Sequence, residues 1–182
     1  SWAGTVPDVT KSASATVNVS AGLSALAPAR YQLTGTSGKL NISGDSTRPT
    51  YAEIYVTGNI SGRLSIDPGV QATLYVAGNV QYNADDIDNR NNRASSLQVY
   101  GVQSAAGAAP SINLTLGKDL YASVCAPGHS MQISGSGQWI GSALAKSIAI
   151  TGALQLHYDE ALATQAGPVI DYKVASWIED VR

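Results

Sequence analysis

Four groupings of side chains in this 182-residue chain have types and spacing that chemistry could use. His157, Asp159 and Glu160 are the most conspicuous. On a strand end His157 and Asp159 share a face, and a carboxylate beside an imidazole can orient it for acid–base work or help it hold a metal. The plainer reading starts a short helix at Asp159 and Glu160, where acidic residues suit the N-terminal dipole, with His157 in the corner before it. That reading is favoured. Cys125 and His129 stand four apart around Pro127-Gly128. A thiol nucleophile needs a base within hydrogen-bond reach and an oxyanion site. Only the pair is present, and Pro-Gly between them fixes no geometry. Cys125 is therefore expected to be a small buried hydrophobe.

Asp85, Asp86 and Asp88, with Asn83, Asn89 and Asn91, are the one run that offers oxygen ligands to calcium, which takes six to eight. The run lacks the EF-hand's glycine at the sixth place and glutamate at the twelfth. The glycine-rich calcium nonapeptide is absent too, and Arg90 and Arg93 partly neutralise the charge. A solvated loop is favoured, with this run the first place to look for a metal. The fourth grouping is aromatic. Tyr55 and Tyr75 hold equivalent places twenty residues apart, and Tyr100 and Tyr121 are candidates to continue the column. Such a column is either a glycan-contact surface, since sugar rings pack on aromatic faces, or an ordinary ladder of cross-strand pairs worth a few tenths of a kcal/mol each. The ladder is favoured. No catalytic residue and no cofactor is assigned.

The elements that position these residues come from a repeat. Glu53-Ile54-Tyr55-Val56-Thr57-Gly58-Asn59-Ile60 is copied at Thr73-Leu74-Tyr75-Val76-Ala77-Gly78-Asn79-Val80, with a weaker copy at 97–102. A later pair aligns Ser123-Val124-Cys125-Ala126 and Ile133-Ser134-Gly135 with Ser142-Ala143-Leu144-Ala145 and Ile150-Thr151-Gly152. Inside each copy apolar and polar residues alternate, the period of a strand with one buried face. Gly58-Asn59, Ser61-Gly62, Pro68-Gly69 and Gly78-Asn79 supply the corners. Short strands repeating at about twenty residues predict an all-β fold, a β-solenoid of the right-handed parallel β-helix kind, with a short C-terminal helix and cap. A β-sandwich also alternates, but has no reason to repeat a motif at fixed spacing.

The predicted interior is Ile54, Val56, Leu64, Ile66, Leu74, Val76, Leu97, Val99, Ile112, Leu114, Ile133, Ile148 and Ile150. Residues 1–182 form one domain. Within it, 1–38 are an N-terminal cap or incomplete first coil, and 157–182 a C-terminal cap. Residues 81–96 are a polar excursion between coils, 103–110 a soft loop, and 159–165 one or two helical turns. Ile170-Asp171-Tyr172-Lys173-Val174 reads as a last strand before Trp177, able to cover the open end.

Composition narrows the partners. One domain is the expectation at about 150 residues per domain. Charged residues are 13% and the net charge is −2, so there is no basic stripe for nucleic acid. At 44% hydrophobic the chain carries material for a core. No run approaches the ~18 apolar residues of a membrane helix. One cysteine rules out an intramolecular disulfide without fixing a compartment. The start, Ser1-Trp2-Ala3-Gly4, reads as a cut inside a longer chain or at a processing site.

The C-terminal part is also familiar. Tyr121-Ala122-Ser123-Val124-Cys125-Ala126-Pro127 is followed by Ile140-Gly141-Ser142-Ala143-Leu144-Ala145-Lys146-Ser147, then His157-Tyr158-Asp159-Glu160, then Ser176-Trp177-Ile178-Glu179. Over about residues 50–182 this resembles the uncharacterised C-terminal extracellular domain of bacterial PilX-like pilus-associated proteins. The resemblance implies a location at the cell surface or outside a bacterium, with pilus or other surface subunits as partners and no known chemistry. The prepilin-like membrane helix usual in that family is not in this sequence.

These readings converge on a non-catalytic structural or adhesive surface module, pilus-associated or self-assembling as a homo-oligomer. The alternative is a carbohydrate-binding or carbohydrate-active β-helix protein using the outward tyrosine face. An enzyme of that kind needs carboxylates clustered over successive coils, and Glu53 and Asp67 stand isolated. Ice binding needs a threonine column, and Thr57 is matched by Ala77. The edge around Val17-Asn18-Val19 either folds back on its own coil or completes a neighbour's sheet; the surface resemblance favours the neighbour.

Overall fold

A computed structural model describes residues 16–83, 86–102 and 109–164. The strands, in chain order, begin with β1 (Val17–Ser20), β2 (Ala29–Leu33), β3 (Lys39–Ser43), β4 (Thr50–Val56) and β5 (Ile60–Ser61). Next come β6 (Arg63–Ile66), β7 (Val70–Val76), β8 (Val80–Tyr82), β9 (Ile87–Asn89) and β10 (Leu97–Gly101). The last are β11 (Ser111–Leu116), β12 (Leu120–Gly135), β13 (Gln138–Gly152) and β14 (Gln155–Tyr158). All are paired in parallel, and they wind into a β-solenoid of about seven turns.

The early turns have three sides. The first stacks β2, β4, β7, β10 and the first half of β12. The second stacks Thr36, β5, β8, β11 and the second half of β12. The third is a separate sheet, β1-β3-β6-β9. Beyond β9 no further strand of the third sheet follows among the described residues. Instead β12 and β13 each run along two sides, shifting register between Ala126 and Ser130. The coil length changes accordingly. Leu33, Val56, Val76 and Gly101 pair in succession, so the steps are 23, 20 and 25 residues. Cys125 to Leu144 is 19 and Ile140 to His157 is 17.

Alternation explains the core. In β4, Thr50, Ala52, Ile54 and Val56 are buried while Tyr51, Glu53 and Tyr55 face outward; β7 repeats this. Stacking brings each inward residue over its equivalent, as Ile54 meets Leu74 and Leu74 meets Val99. Full burial of such side chains is worth about 1.5–3 kcal/mol each. Corners are closed by asparagine. Asn59 Oδ1 accepts from the Asn79 N–H at 2.8 Å, and Asn79 Oδ1 from the Ser111 N–H at 2.9 Å. Asn91 Oδ1 accepts from Gly69 N–H at 2.7 Å, and its Nδ2 donates to the carbonyls of Asp67 and Val70. These bonds satisfy backbone groups that the bends take out of the ladder.

Four expectations are corrected. Ile148 and Ile150 face the interior column but are 42% and 46% exposed, because no described strand stacks on that part of β13. Val99 is only half-buried. Residues 81–96 are not an excursion. Val80–Tyr82 and Ile87–Asn89 are strands of regular sides, and Ala94–Ser96 forms a 3-10 turn against β12. The 17–20 edge is paired at home: β1 lies on β3 of its own chain, β2 on β4, and Thr36 bridges Ile60. The expected C-terminal helix is the 3-10 segment Glu160–Thr164. Residues 103–108 and the expected strand at 170–174 lie outside the described residues, as does the rest of 165–182.

Candidate functional site

The outward surface of the first side carries the tyrosines. Pairing aligns Gln32, Tyr55, Tyr75, Tyr100, Cys125 and Leu144 in one column. Beside it runs Arg30, Glu53, Thr73, Gln98, Ser123 and Ser142. Tyr75 and Tyr100 stack at a centroid distance of 5.5 Å with 20° between ring planes. Partial burial raises the pKa of both phenols; nearby Glu53 adds to the effect at Tyr75, and Cys125 at Tyr100. The Tyr100 hydroxyl and Gln98 Oε1 are 3.2 Å apart. Arg30 Nε donates to Glu53 Oε2 at 2.8 Å, and the Ser123 and Ser142 hydroxyls are bonded at 2.8 Å.

Tyr55, Tyr75 and Tyr100 are thus brought together, and Tyr121 is not. It sits two places before Ser123, next to Ile140 and then His157. Cys125 fills the place below Tyr100 and is partly exposed, not buried. Counting alternation from Leu120, Ala122 and Val124, all buried, puts Cys125 outward; that signal was available in the sequence.

His129 was expected to be at most a partner for Cys125, but the register shift at Pro127-Gly128 turns it inward. It is 1% exposed, and neither ring nitrogen makes a hydrogen bond of good geometry. Burial lowers its pKa, while the Val76 and Gly78 carbonyls act in the opposite sense. An inward imidazole and an outward thiol do not form a nucleophile–base pair.

Several of the described carboxylates have structural partners. Asp86 Oδ2 accepts from the Asn83 N–H at 2.9 Å. Arg90 bridges Asp88 at 2.9 Å and Asp67 at 3.0 Å. Asn89 Nδ2 donates to the carbonyls of Arg93 and Tyr121. Asp85 lies outside the described residues. Among the described residues no three His, Cys, Asp or Glu side chains gather as a metal would require. Asp45 has its pKa lowered to about 2, first by the Thr47 hydroxyl and then by the Thr47 N–H and Arg48. Asp159 Oδ1 accepts the Ala161 N–H at 3.1 Å and opens the 3-10 segment, with His157 exposed on β14.

Between the sides lies an apolar void of about 20 Å³, bordered by Leu74, Tyr82, Leu120 and Trp139. It has room for little more than one water. No described helix is long and apolar enough to cross a membrane. No curated protein and no solved structure matches the chain. Residues 7–165, most of its length and every turn described above, do match one family, and the chain belongs to it: the domain of unknown function DUF7305.

Proposed function

We propose that this chain is a non-catalytic structural or adhesive module of the bacterial cell surface, a short rod that joins pilus or other surface subunits. About seven turns at about 4.8 Å give a rod of roughly 34 Å. The observation that carries the reading is the stacking of Tyr75 on Tyr100. A sugar ring needs an open aromatic face, and these two rings turn faces toward each other. The column therefore favours a ladder that stiffens the rod over a glycan platform.

The engagement of Glu53, Asp67, Asp86 and Asp88 by arginines or backbone supports the absence of catalysis. The surface location rests on the residues of the C-terminal resemblance. Association with neighbours is supported by the outer edges of β1 and β2, each paired on one side only among the described residues, since open edges recruit strands.

Negative-stain microscopy with light scattering tests the reading. Filaments or discrete oligomers are expected at high protein concentration, with no turnover on a polysaccharide panel. A strict monomer would remove self-assembly and leave only the passive surface domain. Reproducible reducing-sugar release that disappears in Glu53→Gln or Asp67→Asn would overturn the non-catalytic reading.

A further inference from the structure

With a single cysteine in the chain, no internal disulfide ties one turn of the solenoid to the next. Tyr75 and Tyr100 stand where a different covalent tie can form. They pair residue to residue on β7 and β10, neighbouring strands about 4.8 Å apart. Their rings stack with centroids 5.5 Å apart and 20° between planes. Both side chains are only partly buried, so a diffusing oxidant reaches them. Burial raises both phenol pKa values above the ordinary 10, so at neutral pH each phenol is protonated and gives up a proton with its electron.

One-electron oxidation of a phenol removes an electron and the hydroxyl proton. It leaves a phenoxyl radical whose unpaired electron is shared with the ring carbons ortho to the oxygen. Two such radicals combine by a carbon–carbon bond between ortho carbons. The hydrogen on each joined carbon then passes through solvent to the oxygen of its own ring, restoring both phenols. The pair loses two electrons and two protons in all. One hydrogen peroxide, acting through a haem peroxidase, takes them up and becomes two water molecules. Radicals on separate molecules must meet by diffusion, whereas this fold already holds the two rings against each other. We propose that Tyr75 and Tyr100 form an oxidative cross-linking site, joined ring to ring by a peroxide-driven one-electron oxidant. The bond staples β7 to β10 and closes the 25-residue step between them, restricting the unfolded chain as a disulfide does. This goes beyond the proposed surface role and needs only the geometry of the stack.

Treatment of the full chain with hydrogen peroxide and a haem peroxidase tests it, read on the monomer fraction by dityrosine fluorescence and peptide mass spectrometry. The monomer is expected to become lighter by two hydrogen atoms, with the peptides of Tyr75 and Tyr100 linked and the yield per chain unchanged on dilution. Tyr75→Phe and Tyr100→Phe should each abolish the product, and Tyr51→Phe should keep it. Two neighbours in the column give the competing products, since Tyr55 pairs with Tyr75 and Cys125 with Tyr100. A Tyr55–Tyr75 bond or a Tyr100–Cys125 thioether in place of the expected link overturns the proposal. So do ring–ring bonds confined to dimers, or none at all. A second measurement checks the staple. Treatment is expected to raise the urea midpoint of the wild-type monomer and not that of Tyr100→Phe; equal changes in the two overturn it. These readouts are taken on the monomer, so their failure leaves assembly and surface location untouched.

Discussion

Tyr75 and Tyr100 are partners across one turn of the solenoid, paired residue to residue, with their rings 5.5 Å apart and 20° from parallel. Parallel pairing repeats about every 4.8 Å, so equivalent aromatics on adjacent turns meet face to face. Such a pair contributes about 0.5–1.5 kcal/mol beyond the area it buries. A double-mutant cycle with Tyr75→Leu and Tyr100→Leu, read by urea unfolding, is expected to return a coupling in that range. A coupling near zero would remove the stiffening role assigned to the ladder.

Val76 is fully buried between Val56 and Gly101. Val76→Asp places an unpaired carboxylate in the core, at a cost of several kcal/mol against a total of about 5–15. The variant is expected to have no cooperative melt by circular dichroism. Melting within a few degrees of wild type would contradict the inward assignment.

Gly62 has φ +87° at the corner between β5 and β6, and a Cβ there would lie 2.1 Å from the Gly38 carbonyl oxygen. The left-handed conformation alone costs a non-glycine residue about 1–2 kcal/mol. Backbone that cannot move aside adds to this. Gly62→Ala should therefore lower the urea midpoint more than Gly128→Ala, where the added methyl meets nothing within 4 Å. Equal midpoints would count against the corner geometry.

His129 gives the fold a pH dependence of definite sign. Burial holds its folded pKa below the ordinary 6.5. Below that value the unfolded chain takes up a proton that the folded chain refuses. Stability is therefore complete above about pH 6.5 and declines as pH falls toward the folded pKa. From this group the slope is at most about 1.4 kcal/mol per pH unit. Unfolding free energies of wild type and His129→Leu between pH 7.5 and 5 should diverge, with the flatter curve in the variant. Parallel curves would show that His129 does not titrate differently on folding.

Much of the architecture was legible along the chain, because period-two alternation is a local property and a stacked coil must repeat it. The copies at 53–60 and 73–80 pair in register, and Ser123 through Ala126 lie on Ser142 through Ala145 as their likeness predicted. The inward places of Ile54, Leu74, Ile112 and Ile133 follow from the same pattern. Gly and Asn at the corners were equally readable, since bends need residues that tolerate unusual backbone angles or satisfy orphan amides.

Other features were decided only in three dimensions. Whether Tyr121 or Cys125 follows Tyr100 depends on how many residues each turn consumes, and that number ranges from 17 to 25 as the third side comes and goes. The polar run at 87–91 forms a side of the coil because Asn89 and Asn91 bond to backbone of neighbouring segments, partners that no hydrophobic pattern records. His129 faces inward because the register shift between Ala126 and Ser130 changes which parity points to the core. Ile148 and Ile150 carry the pattern of buried residues, but burial requires a layer on both sides, and a sequence motif specifies only which way a side chain points.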